Sequence, residues 1–140
     1  MINDQDAYVY VIANLGDAGQ PCFPTKVGVT KKPNQRFGVL QTASPRKLIR
    51  VAVYTVPNIG CARDVEQAFH DVKREHRLYG EWFSIDPIDA AISLALCIRA
   101  HFQVVIEADG TVGEHAGQLL EYLCRRAGLM LFPDLCRETI

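Results

Sequence analysis

The chain has 140 residues, 15 Lys and Arg against 16 Asp and Glu, and a formal net charge of −1, with 49% hydrophobic and 22% charged residues. This length supports one ordinary core, and the composition excludes a disordered or collagen-like polymer and reads as soluble and globular. A uniformly basic nucleic-acid module is excluded too.

Residues 7–13, Ala-Tyr-Val-Tyr-Val-Ile-Ala, are β-branched and aromatic and read as a strand ending at Asn14-Leu15-Gly16. A long polar loop from Asn14 to Pro24 follows, and residues 25–30 read as a second strand, antiparallel to the first. Pro33 opens a helix over 34–42, with Phe37 and Leu40 apolar at i and i+3. Residues 48–56 form a third strand, stopped by Pro57-Asn58-Ile59-Gly60. Residues 61–77 are the clearest helix, with Val65, Ala68, Phe69 and Val72 on one apolar stripe. Glu81-Trp82-Phe83-Ser84 is a short extended piece, and Asp86-Pro87 caps an apolar helix to about His101. Residues 102–106 look like a strand, Asp109-Gly110 a turn, and 114–126 a last helix stopped by Gly128. This order predicts an α+β layer fold.

The start is polar and lacks a signal-peptide pattern, and the apolar run around 90–98 is too short to span a bilayer. Cys22, Cys61, Cys97, Cys124 and Cys136 are odd in number and widely spaced, which fits free thiols in a reducing compartment. A cytoplasmic protein with no membrane partner is expected.

The charges are unevenly placed. Residues 1–80 hold 11 Lys and Arg against 7 Asp and Glu, a balance of +4, whereas residues 81–140 hold 4 against 9, a balance of −5. Between Asp17 and Asp64 no acid occurs, but Lys26, Lys31, Lys32, Arg36, Arg46, Lys47, Arg50 and Arg63 do.

Strand alternation puts Tyr8 and Tyr10 on one face of the first strand, and Lys26, Gly28 and Thr30 on one face of the second. With the valines turned to the core, two phenols and an ammonium line an outer face of this hairpin. On the 61–77 helix, the arc opposite the apolar stripe carries Arg63, Glu66, Gln67, His70, Lys73, Arg74 and Arg77. Glu66 and His70 are neighbours at i, i+4, so one carboxylate stands among several cations. Such a carboxylate suits Mg²⁺, which keeps most of its waters and binds substrate phosphate. An ordinary solvated helix face is the bland alternative, and Trp82 beside Phe83 reads as core closure.

Together these pieces resemble the GIY-YIG nuclease superfamily. Tyr8-Val9-Tyr10-Val11-Ile12 is similar to its first motif and Lys26-Val27-Gly28-Val29-Thr30 to its second; Arg36 and Glu66 match its arginine and helix glutamate. Lys-hydrophobic-Gly, Glu66-x-x-x-His70 and Glu81-Trp82-Phe83 resemble its compact phage and bacterial branch, over residues 7–85. The resemblance implies a small antiparallel sheet flanked by helices, and DNA phosphodiester hydrolysis with one Mg²⁺ or Mn²⁺. It implies that Glu66 holds the metal, Arg36 stabilises the phosphate, and Tyr10 activates water or positions the phosphate. A Lys26 ammonium beside Tyr10 would favour its phenolate; Lys26 could equally contact phosphate, and His70 could be an alternative base or a phosphate donor. Tyr8 and Lys26 stand where the motifs have Gly and Tyr, and Tyr8 is taken to sit on an exposed face. Further DNA contacts are expected from Tyr8, Lys31, Lys32, Arg46, Lys47, Arg63 and Arg74.

The expected organisation is a nuclease-like domain over 1–86 and a helical or mixed C-terminal extension over 87–140. The acidic extension would pack on the domain, or mediate a homodimer or a protein partnership. The rival function is a non-catalytic nucleic-acid-binding module of the same fold.

Overall fold

The computed structural model describes residues 5–129. The elements are β1 (Ala7–Leu15), β2 (Pro21–Thr30), α1 (Pro33–Ala43), β3 (Leu48–Val56), α2 (Ile59–Val72), a 3₁₀ turn (Arg74–His76), β4 (Arg77–Tyr79), β5 (Trp82–Phe83), α3 (Pro87–Ala108) and α4 (Gly113–Ala127). The strands form one antiparallel sheet in the order β3-β1-β2-β5-β4. The α+β architecture read from the sequence is the one observed, with a helical C-terminal part.

The valine face of the hairpin builds the main core. Val9, Val11 and Val27 pack with Tyr54 and Val56 of β3 and with apolar residues of α2, α3 and α4. The α2 stripe is Cys61, Ala62, Val65 and Phe69; Ala68 and Val72, expected on it, are exposed. The helix stops at Val72 and the chain turns through the 3₁₀ segment into β4, so Arg74 and Arg77 leave the α2 face on which they were expected. Asn58 caps α2 by accepting from Cys61 N at 2.8 Å, and Asp86 caps α3 by accepting from Ile88 N and Asp89 N.

Three further expectations are corrected. β1 and β2 stay paired out to Leu15 and Pro21, so the hairpin loop is only 16–20, closed by the Gly16 N–H on the Gln20 carbonyl and by Gly19 at φ +82°. Residues 102–106 are not a strand but the last turns of α3, because Ile98, Phe102 and Ile106 recur every fourth residue and all bury. Consequently the apolar segment is a 22-residue helix, long and apolar enough by length and composition to cross a membrane. Here its stripe from Pro87 to Ile106 is buried, with Ala90 to Phe102 in the main core, and the Tyr54 hydroxyl of β3 donates to its Ala91 carbonyl at 2.9 Å.

The supposed outer face of the hairpin is covered as well. α1 lies over it, and Tyr10, Ile12 and Phe37 form a second, smaller core with Leu40, Leu48 and Val53 around it. Tyr10 is fully buried and Tyr8 half-buried, neither on an open surface.

Of the cysteines, Cys22, Cys61, Cys97 and Cys124 are free thiols; Cys136 lies outside the described residues.

α4 is tied to the start of β1 by Arg126, which clamps both oxygens of Asp6 at 2.5 and 2.7 Å. Asp6 is only 8% exposed, so losing its partner would leave a carboxylate in a poor solvent. Because Arg126 itself is partly open to water, Arg126→Ala is expected to cost about 2–3 kcal/mol, below the cost of breaking a fully buried pair. Urea unfolding would measure it, and the Asp6→Ala/Arg126→Ala double variant should recover part of the loss.

Candidate active site

β5 is two residues long, and its strand pairing with β2 covers Thr25 and Lys26 alone. The Val27 N–H still reaches the Glu81 carbonyl at 3.1 Å; beyond it, among the described residues, no strand covers the side of β2 away from β1 at Gly28. Into this notch come side chains from β1, β2, α1, α2 and the β4–β5 turn.

Tyr10 is the register partner of Gly28. A Cβ on Gly28 would stand 2.5 Å from Tyr10 Oη, 2.7 Å from its Cζ and 3.0 Å from Glu81 Oε1. The glycine therefore serves by its missing side chain: a phenol lies across β2 and a carboxylate meets it there. Phe37 of α1 packs edge-on against the Tyr10 ring at 5.2 Å, and Arg36, one residue earlier, donates from Nε to Tyr10 Oη at 3.4 Å. Burial raises the Tyr10 phenol above the usual tyrosine range, and the Arg36 guanidinium offsets this only in part. The expected Lys26–phenolate arrangement is thus not observed. The Lys26 ammonium, almost fully buried, donates instead to Glu81 Oε1 at 2.8 Å and lies 5.6 Å from the Trp82 ring centre.

Glu66 arrives from α2, flanked by the core residues Val65 and Phe69. Its carboxyl faces that of Glu81. Burial first, and then the Glu81 carboxylate, push Glu66 up to about 8. Burial also works against ionising Glu81, but Glu66 and Lys26 together outweigh it and hold Glu81 below the usual carboxylate range. Glu66 Oε2 is buried with no hydrogen-bond partner. One turn on, the His70 imidazole packs edge-on against Phe83 at 4.9 Å, its Nε2 also buried and unpartnered. Burial lowers His70, so the ring is neutral at pH 7.

Tyr10, Lys26, Arg36, Glu66 and His70, all singled out from the sequence, thus share one neighbourhood. Lys31 and Lys32 adjoin it, lining with Thr30, Gln35, Arg36 and Val39 a shallow depression at the end of β2. Arg63 is exposed on α2 and close enough to favour the Glu66 carboxylate. Tyr8 pairs with Thr30 further along the hairpin. Arg46 and Lys47 are exposed in the α1–β3 loop, where the Lys47 carbonyl accepts from Leu15 N; among the described residues no hydrogen bond or ion pair joins their side chains to the notch. Arg74 is exposed in the 3₁₀ turn.

Glu81 is the site residue that sequence reasoning left unassigned. Its signal was the Glu-Trp-Phe triplet, whose tryptophan and phenylalanine position it through β5.

Among the described residues no group of three or more His, Cys, Asp or Glu could enclose a metal. Two facing carboxyls, one with an orphaned buried oxygen, do fit a cation such as Mg²⁺, which takes one or two protein carboxylates and completes its shell with water and phosphate.

Comparison with family models matches residues 7–99, about two thirds of the chain, to the T5orf172 domain. The chain belongs to the T5orf172 domain family. The T5orf172 domain occurs in some phage and bacterial nuclease-like proteins, which links this chain to nucleic-acid-related function. The match takes in all five strands, α1, α2 and the first half of α3, so it extends past residue 85 into the helix that floors the sheet. No curated protein and no solved structure matches the chain.

Proposed function

We propose that this T5orf172 domain is a metal-dependent DNA endonuclease of the GIY-YIG kind. The observation that carries the reading is the convergence of Tyr10, Arg36, Glu66 and Glu81 on the notch at Gly28. A bound Mg²⁺ or Mn²⁺ would supply Lewis-acid polarisation of the phosphate and lower the pKa of a water.

The chain's own groups divide the remaining work. Glu66 and Glu81 would hold the cation, and Lys26 fixes the rotamer of Glu81. The Arg36 Nε points to Tyr10 Oη, which leaves the terminal amino groups of its planar fork for two phosphate oxygens. Charge builds on those oxygens in the transition state, so a preorganised guanidinium stabilises it more than the ground state. Tyr10, fully buried and kept protonated there, accepts from Arg36 Nε and so orients the guanidinium that meets the phosphate. His70, neutral and wedged on Phe83, positions α2 against β2. Lys31 and Lys32 extend the phosphate path.

The test is incubation with plasmid, single-stranded and branched DNA in Mg²⁺, in Mn²⁺ and in excess chelator. Cleavage that needs the metal supports the reading. Salt-dependent DNA binding without cleavage under any of these conditions would overturn it in favour of a binding module. On duplex DNA, log K of such a module falls by about 0.9 per phosphate contacted for each unit of log salt.

A further inference from the structure

We infer that the substrate strand is unpaired at the site, and that one of its bases stacks on Trp82 and Tyr79; the inference rests on the nuclease reading above. Strand register sets Ile12, Lys26, Trp82 and Tyr79 abreast on four neighbouring strands. Partners across an antiparallel ladder share a face, so Trp82 continues the Tyr10–Lys26 face toward the β4 edge of the sheet, and Tyr79, just past a register shift in β4, is its partner across the turn. Trp82 is half-buried, but Tyr79 is 70% exposed, and no ring contact holds it among the described residues. At that exposure the Tyr79 ring is open to a ligand. The cations lie on the other side of the notch: Lys31, Lys32 and Arg36 line the depression at the end of β2.

A nucleic-acid strand crossing the notch would therefore meet cations, then the carboxyl pair and Tyr10, then Lys26 and the aromatic pair. Cations track phosphates, whereas an aromatic ring takes the π-face of a base. Inside a duplex those faces are covered by neighbouring base pairs, so the aromatic pair is of use only to a base already out of the stack. A single strand, a flap or a frayed end meets that need. The Lys26 ammonium lies 5.6 Å from the Trp82 ring centre, beside this platform.

Trp82 is the chain's single tryptophan, so its emission reports on the platform directly. Titrating the full chain with a dT oligonucleotide in chelator is expected to quench Trp82, and a blunt duplex of the same length is expected to leave it unchanged. Tyr79→Ala should weaken oligonucleotide binding between about 5- and 150-fold, the usual range for losing one stacked base. Tyr122→Ala, which removes an exposed tyrosine from α4, should leave binding unchanged. Unquenched emission at saturation, or a Tyr79→Ala chain that binds like wild type, overturns the inference. Metal-dependent cutting of the plasmid would in that case leave the nuclease reading standing, so the two fail separately.

Discussion

Glu66→Gln is expected to reduce DNA cleavage by about 10³-fold or more while leaving the metal-free protein at least as stable as wild type. The two effects have one cause. In the folded chain the Glu66 carboxyl is disfavoured as an anion by burial and by the Glu81 carboxylate opposite it, and one of its oxygens has no partner. An amide of the same shape carries no charge to desolvate and can donate to Glu81, so stability is kept or gained. The reaction loses a charged metal ligand, and metal-derived charge stabilisation is worth several kcal/mol, each 1.36 kcal/mol being tenfold in rate. Arg36→Ala should cost about 10²–10³-fold in kcat, as removal of a single preorganised donor does elsewhere. Thermal melts in chelator and single-turnover cleavage of the same preparations check both halves. A Glu66→Gln protein that melts well below wild type would show that the glutamate is there for the fold. One that cuts normally would remove it from the metal site.

The strands were legible where β-branched residues alternate with turn chemistry at their ends. Residues 48–56 are bounded as read, and Asp86, Pro87 and Gly128 mark helix ends as their backbone chemistry requires. What failed was local pattern overruled by tertiary context. Gln103-Val104-Val105-Ile106 has strand composition, but it follows a helix whose buried stripe continues through Ile106, and the stripe decides. Val72 completes a helical period yet is 68% exposed, because the chain leaves α2 at that point for the β4–β5 hairpin. β5 lies within the short extended piece read over 81–84, but two residues are too few to show alternation, so the inward carboxylate of Glu81 stayed hidden behind the aromatic residues next to it. The candidate site was more legible than its electrostatics. Tyr10, Lys26, Arg36 and Glu66 were grouped by the resemblance to the GIY-YIG motifs, but the partner of Lys26 depended on a turn 55 residues away. The uneven charge also takes on a different meaning: the acid-free stretch is completed by Glu81, the first acid of the acidic half.

Gly28→Ala should damage both the fold and the activity. A methyl group there would meet the Tyr10 ring at 2.5 and 2.7 Å, and neither side can give way cheaply. The ring is fully buried and wedged by Phe37, while Gly28 belongs to a strand paired with β1. Glu81, the third neighbour, is held by Lys26. Overpacking of this kind costs about 1–3 kcal/mol, and relief by tilting the phenol would break its contact with Arg36. A displacement near 1 Å at such a group is enough to cost about 10²-fold in rate. The matched control is Gly38→Ala on α1, where an added Cβ meets nothing within 4 Å; replacing a helical glycine there should stabilise by about 0.5–1 kcal/mol and leave cleavage unchanged. Adding Tyr10→Phe to Gly28→Ala removes the hydroxyl collision but leaves Cζ at 2.7 Å, so only part of the stability should return, and none of the activity. If Gly28→Ala instead melts and cuts like the Gly38 variant, the phenol does not lie across β2, and Tyr10 loses its place beside Arg36 in the proposed mechanism.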